Sequence, residues 1–368
     1  MFDLQAAEIA AAYGFTASEF SNTPSAGEQV PGRVTEVRRE LYKVICQYGE
    51  IPAVLKGTFY HAAEAREDFP AVGDFVLIKY NETGNSGITA VLPRRSKFSR
   101  TDFSGHAAGY VKNIQEQVVA VNFDYVFIMC SLNFDFNPAR IARYLTATWG
   151  SGGLPVVVLT KADLCDGYAE QVAAIRALAA DVPVIPVSSR SGYGLDQLAP
   201  YLQPAKTIVF LGSSGVGKSS LLNALAGETV MDVKAIREDD SKGRHTTSHR
   251  QLFRLASGAL VIDTPGMREL GLWDAEEAIS LAFGNVEELL TQCRFSNCTH
   301  QNEPGCAVRA ALEAGTLSPA QWKNYLAQKR EALFVENRSE YIKGKREFFK
   351  NVSRGGVRNK HKDGFQGE

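Results

Sequence analysis

The sequence predicts a multidomain protein in which a small antiparallel β-barrel precedes a parallel α/β domain and a helical metal-binding module. Three observations predict it. Short stretches of alternating polarity fill the first quarter, near-continuous apolar strands alternate with helices in the middle, and three cysteines crowd into fourteen residues near position 300. A chain of 368 residues is too long for one ordinary core, so separate domains are expected.

The first region has the pattern of an OB-fold. Five stretches that favour strands lie between residues 28 and 93, and five strands in so short a span fit an OB-fold best. The strands alone also fit a barrel that has no nucleic-acid role. We expect an N-terminal arm over 1–27, an OB-fold RNA-binding domain over 28–93, the α/β domain over 94–273, a helical metal-binding domain over 274–350 and a basic tail over 351–368.

Composition limits the cellular compartment that the protein can occupy and the kinds of partner that it can bind. The N-terminal residues lack a secretion signal, and no run nears the roughly 18 apolar residues that span a bilayer, so we expect a cytoplasmic protein without membrane contact. A formal net charge of −1 means that any affinity for nucleic acid must come from local patches. The patches are a basic linker over 93–103, with Arg94, Arg95, Lys97 and Arg100, and the stretch 341–368, with eight basic and three acidic residues.

Residues 212–219 carry the strongest motif in the chain. They match G-x-x-x-x-G-K-[ST] between an apolar strand and a helix, which argues against an ordinary glycine-rich turn. Backbone N–H groups and the helix N-terminus favour phosphate, Lys218 would bridge the β- and γ-phosphates, and the Ser219 hydroxyl would bind Mg²⁺. The nucleotide-binding residues of this loop are expected to be Gly212, Ser213, Ser214, Gly215, Val216, Gly217, Lys218, Ser219 and Ser220.

A second apolar strand ends in the sequence DTPG over 263–266. The Asp263 carboxylate can hold a Mg²⁺-bound water, and Gly266 can offer its N–H to the γ-phosphate. An Asp-x-x-Gly turn is weak evidence by itself, because such turns are common. It becomes specific where it follows a phosphate loop and ends a buried strand.

The sequence TKAD over 160–163 has the residues of a guanine reader. The Asp163 carboxylate would accept hydrogen bonds from guanine N1–H and the exocyclic amine, neither of which adenine offers, while the Lys161 stem would cover the purine face. Thr160 stands where GTPases usually have Asn, so one amide is lost. Alone, this loop would be better interpreted as a helix cap. A second base loop, whose N–H would meet guanine O6, is expected at Ser188 and Ser189.

These parts occur in an order that ordinary GTPases do not have. The base reader precedes the phosphate loop here, whereas the phosphate loop normally comes first. Because a parallel sheet is held by pairing and packing, joining its old ends and cutting elsewhere leaves the site intact. The order therefore predicts a circularly permuted P-loop GTPase domain.

The cysteine-rich segment has the spacing C-x₄-C-x-H-x₅-C, which is not that of a standard zinc finger. Three thiolates and one imidazole form a closed tetrahedral set for Zn²⁺. Four protein ligands leave no open position, so we expect one structural zinc ion and no catalysis by it. The ligands are expected to be Cys293, Cys298, His300 and Cys306.

The permuted order, between a β-barrel and a Cys/His segment, resembles the ribosome small subunit-dependent GTPase A family. The resemblance covers about residues 28–350 and rests on TKAD, GSSGVGKSS, GRHTT, DTPGM and the cysteine cluster, in the family's order. It implies a bacterial factor that binds the small ribosomal subunit and its rRNA late in maturation. There it would hydrolyse GTP to GDP with Mg²⁺. We expect it to act as a monomer.

Hydrolysis requires a group that positions water. Ras-like enzymes carry a glutamine just after Asp-x-x-Gly, but this chain has Met267 there, so we expect slow turnover by the free protein. The resemblance implies that His245, in the GRHTT stretch, takes that role, with His249 as the alternative. Thr247 would supply a second protein ligand to Mg²⁺. The expected catalytic residues are His245, Lys218 and Thr247.

Two other functions fit parts of the sequence. An ATP-using P-loop enzyme would share the phosphate loop and the Mg²⁺ ligands, but Asp163 argues against it. An RNA-binding assembly scaffold with a structural nucleotide would use the barrel, the metal module and the tail. Intact Lys218, Ser219 and Asp263 argue against that function.

Overall fold

The structure of the chain is a computed structural model. Several sequence predictions lie outside the residues that it describes, namely those for His245, Thr247, His249, Gly266 and the tail over 351–368. None of the helices within the described ranges has both the length and the apolarity that a bilayer crossing requires. The described residues are 4–15, 29–38, 40–57, 59, 63, 65–102, 115–133, 135–179, 181–231, 250–263, 275–330 and 332.

A closed five-stranded barrel follows a short N-terminal helix, α1 (Leu4–Ala12). The strands pair in the order β1-β2-β3-β5-β4, and β4 returns to β1, which confirms the predicted OB-fold. The β1–β2 contact is so close that a Cβ at Gly32 would lie 2.4 Å from Val44 Cγ1. The strands are β1 (Gln29–Arg38), β2 (Leu41–Cys46), β3 (Gly49–Leu55), β4 (Phe75–Lys79) and β5 (Ser86–Val91).

The basic linker predicted over 93–103 is largely a strand. Strand β6 (Lys97–Asp102) pairs antiparallel with β7 (Gln115–Val121) in a separate two-stranded sheet. The prediction of a linker was wrong here because Phe98 is the only apolar side chain in the strand, and the charged residues around it give no clear alternation of polar and apolar positions. Phe98, for example, is buried and stacks on Phe123 with 4.8 Å between ring centroids.

Three of the basic residues of this stretch, Arg94, Arg95 and Lys97, make contacts within the protein. Arg94 binds the fully buried Asp74 through two nitrogens, at 2.8 and 2.7 Å, and also donates to two backbone carbonyls. Arg95 lies over the Phe75 ring, and Lys97 pairs with Glu67 at 3.4 Å. Arg94 therefore belongs to an internal joint of the protein, whereas Arg95 remains exposed and Lys97 is partly exposed.

The α/β domain is a mostly parallel sheet in the order β10-β9-β8-β11-β13-β12, with only β12 antiparallel. Every residue of β11 is buried, as expected for a strand covered on both faces. The strands are β8 (Tyr125–Ser131), β9 (Leu154–Thr160), β10 (Val184–Pro186), β11 (Thr207–Gly212), β12 (Arg250–Arg254) and β13 (Leu260–Asp263). The helices are α2 (Pro138–Gly150), α3 (Ala169–Arg176) and α4 (Lys218–Ala226).

The barrel and the α/β sheet are continuous through one strand. Strand β1 pairs antiparallel with β12, with Glu36 opposite Gln251, so that the two units form a single sheet of eleven strands. The fully buried Arg33, also on β1, donates to Thr207 Oγ1 at 3.0 Å and to the Asn122 carbonyl at 2.8 Å. Both acceptors belong to the α/β domain, so a charged side chain secures the same joint as the strand pairing.

The N-terminal arm packs at this joint. The Tyr13 carbonyl accepts a hydrogen bond from Arg33 at 2.7 Å, and the Gly14 carbonyl accepts one from Arg95. The Phe15 ring lies 4.3 Å from that of Phe75, between centroids. Residues 13–15 therefore satisfy charged groups of the barrel and are part of its packing.

The C-terminal part of the described chain is a helical module with its own core, which includes Ile279, Phe283 and Val286. Its first helix packs on α2 of the α/β domain, where a Cβ at Gly150 would lie 2.5 Å from Ala278 Cβ. The helices are α5 (Ala275–Ala282), α6 (Gly284–Thr291), α7 (Ala307–Glu313) and α8 over 319–330.

Replacing Gly150 by alanine tests the packing of the helical module on the α/β domain. The added methyl overlaps Ala278, and overpacking of this kind costs about 1–3 kcal/mol. We expect Gly150→Ala to lower the midpoint of urea unfolding and to expose the module to protease. Gly284→Ala is the matched control, because a Cβ there meets nothing within 4 Å. Equal midpoints for the two variants would contradict the close contact.

Candidate nucleotide site and metal centre

The phosphate loop joins β11 to α4, as its motif predicts. Gly215 has φ +77° and Gly217 has φ +104°, both in the left-handed region that only glycine adopts readily. At Gly212, a Cβ would lie 2.6 Å from the Met129 carbonyl oxygen. The two glycines of the motif, and Gly215 between them, are therefore required by the turn itself and by the close approach of β8.

Lys218 lies at the centre of this loop. Its Nζ donates to the carbonyls of Gly212 and Ser213, at 2.7 Å each. The ammonium group is thus held above the loop at the N-terminus of α4, where helix and side chain both contribute positive potential. An anion such as a nucleotide phosphate fits this arrangement.

Two oxygen-bearing side chains lie at the same edge of the sheet. Asp263 ends β13, which pairs in parallel with β11 and has Ile262 opposite Val209. The buried Asp263 therefore lies at the carboxyl end of the sheet, close to the level at which β11 enters the phosphate loop. Ser219 lies in the first turn of α4 and is partly exposed. A hydroxyl and a carboxylate are donors that Mg²⁺ prefers. The expected partners Thr247 and Gly266 lie outside the described residues.

The base-reading loop begins where β9 ends. Lys161 has φ +60°, and a short 3₁₀ turn over Ala162–Leu164 follows it. This turn leaves the Asp163 side chain exposed. The Ala162 N–H donates to the Val187 carbonyl at 3.1 Å, so the first base loop lies beside the second.

Thr160 links the base loop to the phosphate loop. Its buried hydroxyl donates to the Val216 carbonyl at 2.6 Å. GTPases usually have Asn at this position. Here the Thr160 hydroxyl provides a hydrogen bond to a residue 56 positions away in the sequence. A contact between these two loops could not be read from either motif.

The second base loop forms a closed turn. The Ser188 N–H donates to the Tyr193 carbonyl at 2.9 Å, and the Ser188 side chain, which is fully buried, accepts from the Ser191 N–H. Ser189 is partly exposed. Of the two predicted serines, Ser189 is the more exposed.

Sequence reasoning missed Asp135, which lies in the loop after β8 and contacts the phosphate loop. Its Oδ2 accepts a hydrogen bond from Ser213 Oγ at 2.6 Å, while its Oδ1 pairs with Arg140 at 2.7 Å. A signal for it exists in the sequence. Asp135 follows the carboxyl end of an apolar strand, and such ends meet at one edge in a parallel sheet.

The four predicted metal ligands come together in the helical module. Their ligand atoms all lie within 4.8 Å of one another, and His300 Nδ1 is 3.5 Å from both Cys293 Sγ and Cys306 Sγ. Tetrahedral zinc with ordinary bond lengths would separate sulfur and nitrogen by about 3.6 Å. The donor set and its spacing therefore fit a closed zinc site.

The thiols of the cluster change one another's ionisation. Burial and the neighbouring thiols of Cys306 and Cys293 raise the pKa of Cys298 to about 11. Burial opposes ionisation of Cys293 as well, but hydrogen bonds from the backbone N–H groups of Ala307 and Val308 and from the two neighbouring thiols together outweigh it and lower the pKa of that thiol. Thiols this close ionise together only when a metal compensates their charge.

Substituting Thr160 by valine tests the link between the two loops. The change preserves the shape of the side chain but leaves the Val216 carbonyl without the Thr160 donor. Loss of one such hydrogen bond corresponds to about a fivefold loss in nucleotide affinity. We expect the Kd for GTP and for GDP to rise together by that factor, measured by calorimetry. Thr89→Val, which removes a similar hydroxyl bond to the Leu77 carbonyl in the barrel, is the control. Unchanged affinity in Thr160→Val would show that the bond does not support the site.

Replacing a cysteine of the cluster tests the metal centre. We expect one zinc per chain by mass spectrometry of the purified protein, and its loss in Cys298→Ser, because a three-ligand set binds zinc far more weakly. The helical module should then become sensitive to protease. Cys165→Ser, which changes a partly exposed cysteine outside the cluster, should retain the metal. Full zinc content in Cys298→Ser would exclude this residue as a ligand.

Comparisons with known proteins agree with this geometry. A family model described as RsgA GTPase matches residues 91–273. The small ribosomal subunit biogenesis GTPase RsgA 2 of Lactiplantibacillus plantarum is 44% identical over 319 residues, which cover 87% of this chain and 88% of the relative. A protein of the same name from Listeria monocytogenes is 45% identical, with 88% and 89% covered.

Two solved structures share the fold. The crystal structure of YjeQ from Thermotoga maritima has a TM-score of 0.61 and 27% identity, and the match covers 83% of this chain and 99% of that one. YloQ, described as a circularly permuted GTPase, has a TM-score of 0.57 and 25% identity, with 84% and 98% covered. Along this chain the strand that leads to the base reader precedes the strand that leads to the phosphate loop, which is the permuted order that the motifs predict. The chain therefore belongs to the RsgA GTPase family and is a circularly permuted GTP hydrolase.

Proposed function

We propose that this GTPase works in the biogenesis of the small ribosomal subunit, and that it binds the subunit's rRNA and is stimulated by it. The names of its relatives support the subunit as partner. The observation that carries the nucleotide chemistry is the bond from Thr160 to Val216, which joins a guanine-type loop to a phosphate loop. Subunit biogenesis takes place in the cytoplasm, where we expect the chain to act as a monomer.

In this proposal the phosphate loop holds the GTP phosphates and one Mg²⁺. Lys218 neutralises charge on the transferring phosphoryl group, as its place above the loop supports. Ser219 and Thr247 would be the protein ligands of Mg²⁺, and Asp263 would hold one of its waters. The ion would supply further charge neutralisation at the phosphates. Gly266 offers its N–H to the γ-phosphate.

Guanine is recognised from two sides. Asp163 accepts from N1–H and the exocyclic amine, and Lys161 covers the face of the base. Because the Ser188 N–H is already used by Tyr193, the N–H that meets O6 is assigned to Ser189. Adenine lacks the donors that Asp163 needs, so an ATP-using enzyme is the less favoured function.

The residue that positions water is proposed to lie in the segment 241–250, which contains the GRHTT stretch. Met267 has no hydrogen-bonding group for this role, so the free enzyme is expected to be slow. We assign the role to His245, with His249 as the alternative. Stimulation then consists of bringing this residue to the γ-phosphate when the subunit is bound.

The barrel and the helical module are the parts proposed to contact the subunit. Both are joined to the GTPase domain, one through β1 and β12 and the other through α2 and α5. One structural zinc ion would stabilise the helical module. Since Arg94 and Lys97 are paired internally, phosphate contacts are expected from other residues, including the basic stretch 341–368.

Asp163→Asn tests both the partner and the site in one assay. Small ribosomal subunits should stimulate GTP turnover by the native chain, and they should stimulate Asp163→Asn with xanthosine triphosphate, whose 2-oxo group suits an amide donor. The preference should shift on the order of a hundredfold, because a site built for one hydrogen-bond pattern rejects the other. The measurement is phosphate release with each nucleotide, with and without subunits.

Asp166→Asn is the matched control, since Asp166 is an exposed aspartate in the same region. It should retain its preference for GTP. If subunits fail to stimulate the native chain, the proposed partner is wrong. If Asp163→Asn keeps its preference for GTP, the assignment of the base reader is wrong, and the partner remains a separate question.

A further inference from the structure

Each base loop is closed by its own hydrogen bonds. In the first, the Leu164 N–H donates to the Lys161 carbonyl at 3.0 Å. In the second, the Gly192 N–H donates to the Ser188 carbonyl at 2.9 Å. The second loop also sits tightly on its strand, since a Cβ at Gly194 would lie 2.2 Å from the Pro186 carbonyl oxygen. These bonds define the shape of each loop, but they do not fix the distance between the two loops.

The structure joins the two loops at two places. At the inner end, next to the sheet, the Ala162 N–H donates to the Val187 carbonyl at 3.1 Å. At the outer end, the hydroxyls of Tyr168 and Tyr193 lie 2.6 Å apart and share a hydrogen bond. Tyr168 follows the first loop directly and precedes α3, while Tyr193 is in the second loop and is 50% exposed.

Guanine recognition depends on the distance between these loops. The carboxylate of Asp163 must reach one side of the base edge while the N–H of Ser189 reaches O6. An outward movement of either loop would lengthen one of these contacts, and the inner backbone bond holds only the ends of the loops that lie next to the sheet. A bond at the outer end opposes such a movement.

The bond between the two tyrosines keeps the Tyr168 hydroxyl in its protonated form. The hydrogen bond with Tyr193 raises the pKa of Tyr168, so the Tyr168 hydroxyl stays protonated at neutral and mildly alkaline pH. Because the pair is exposed to water, its contribution is modest, comparable to that of one ordinary side-chain hydrogen bond.

The geometry points to Tyr168 and Tyr193 as positioning residues for guanine recognition, which clip together the outer ends of the two base loops. This inference rests on the proposed reading of guanine by Asp163 and Ser189. The clip sets the distance between the loops and contacts no part of the nucleotide itself. Its loss therefore changes how well guanine is distinguished, and the chemistry at the phosphates stays as it is.

The test uses Tyr168→Phe, Tyr193→Phe and the double variant of the full chain. Each single change removes the same bond, so we expect each to raise the Kd for GDP by about threefold to tenfold, and the double variant to show no further loss. The ratio of affinities for GDP and inosine diphosphate, which lacks the exocyclic amine, should fall by a similar factor. The defect in turnover should appear in KM for GTP and not in kcat.

Tyr48→Phe is the control, because Tyr48 is an equally exposed tyrosine on the barrel, at 51% exposure. Additive losses in the double variant, or an unchanged ratio of GDP to inosine diphosphate affinity, would overturn the clip. Asp163→Asn in the same assays keeps the two hypotheses apart. If it abolishes the preference for guanine while the tyrosine variants bind normally, only the clip is wrong. If it leaves the preference intact, the underlying base reader is wrong.

Discussion

The pairing of β1 with β12 is the interaction on which the arrangement of the N-terminal half depends. Strand β1 closes the barrel on both sides and also extends the GTPase sheet, so neither unit is complete without it. Arg33 reinforces the joint from inside, with acceptors in the arm, the barrel and the GTPase domain. Removing an acceptor would leave a buried charge poorly compensated, which is costly in a protein interior. The joint therefore behaves as one packed unit.

The nucleotide site depends on neighbours in the sheet, and the order of the chain matters little to it. Strands β9, β11 and β13 deliver the base loop, the phosphate loop and Asp263 to one edge because they are parallel and adjacent, or nearly so, in the sheet. The Thr160 hydroxyl then fixes the first of these to the second. A circular permutation changes which loops are covalently connected, and it leaves these spatial relations as they were. Because each motif is a short continuous stretch, the permutation also left every motif intact in the sequence.

The sequence predicted what depends on local pattern. The barrel, the permuted order and the cysteine cluster follow from strand periodicity, motif spacing and ligand chemistry, each within a short window. What could not be predicted depends on contacts between distant segments. Arg94 resembles a surface cation in the sequence, and nothing near it indicates that Asp74 lies beneath it. Likewise, Asp135 reaches a serine 78 residues away, and β12 pairs with a strand more than two hundred positions earlier.

The shared strand has a consequence for how this protein can be dissected. Strand β12 is flanked by β13 on one side and β1 on the other, so cutting off the barrel would turn β12 into an edge with unpaired backbone groups. Such edges recruit strands from other molecules and lead to aggregation. An isolated GTPase core would thus report on its own self-association as much as on its chemistry. The contribution of each part is better measured by single substitutions in the whole chain, where the sheet keeps its natural border.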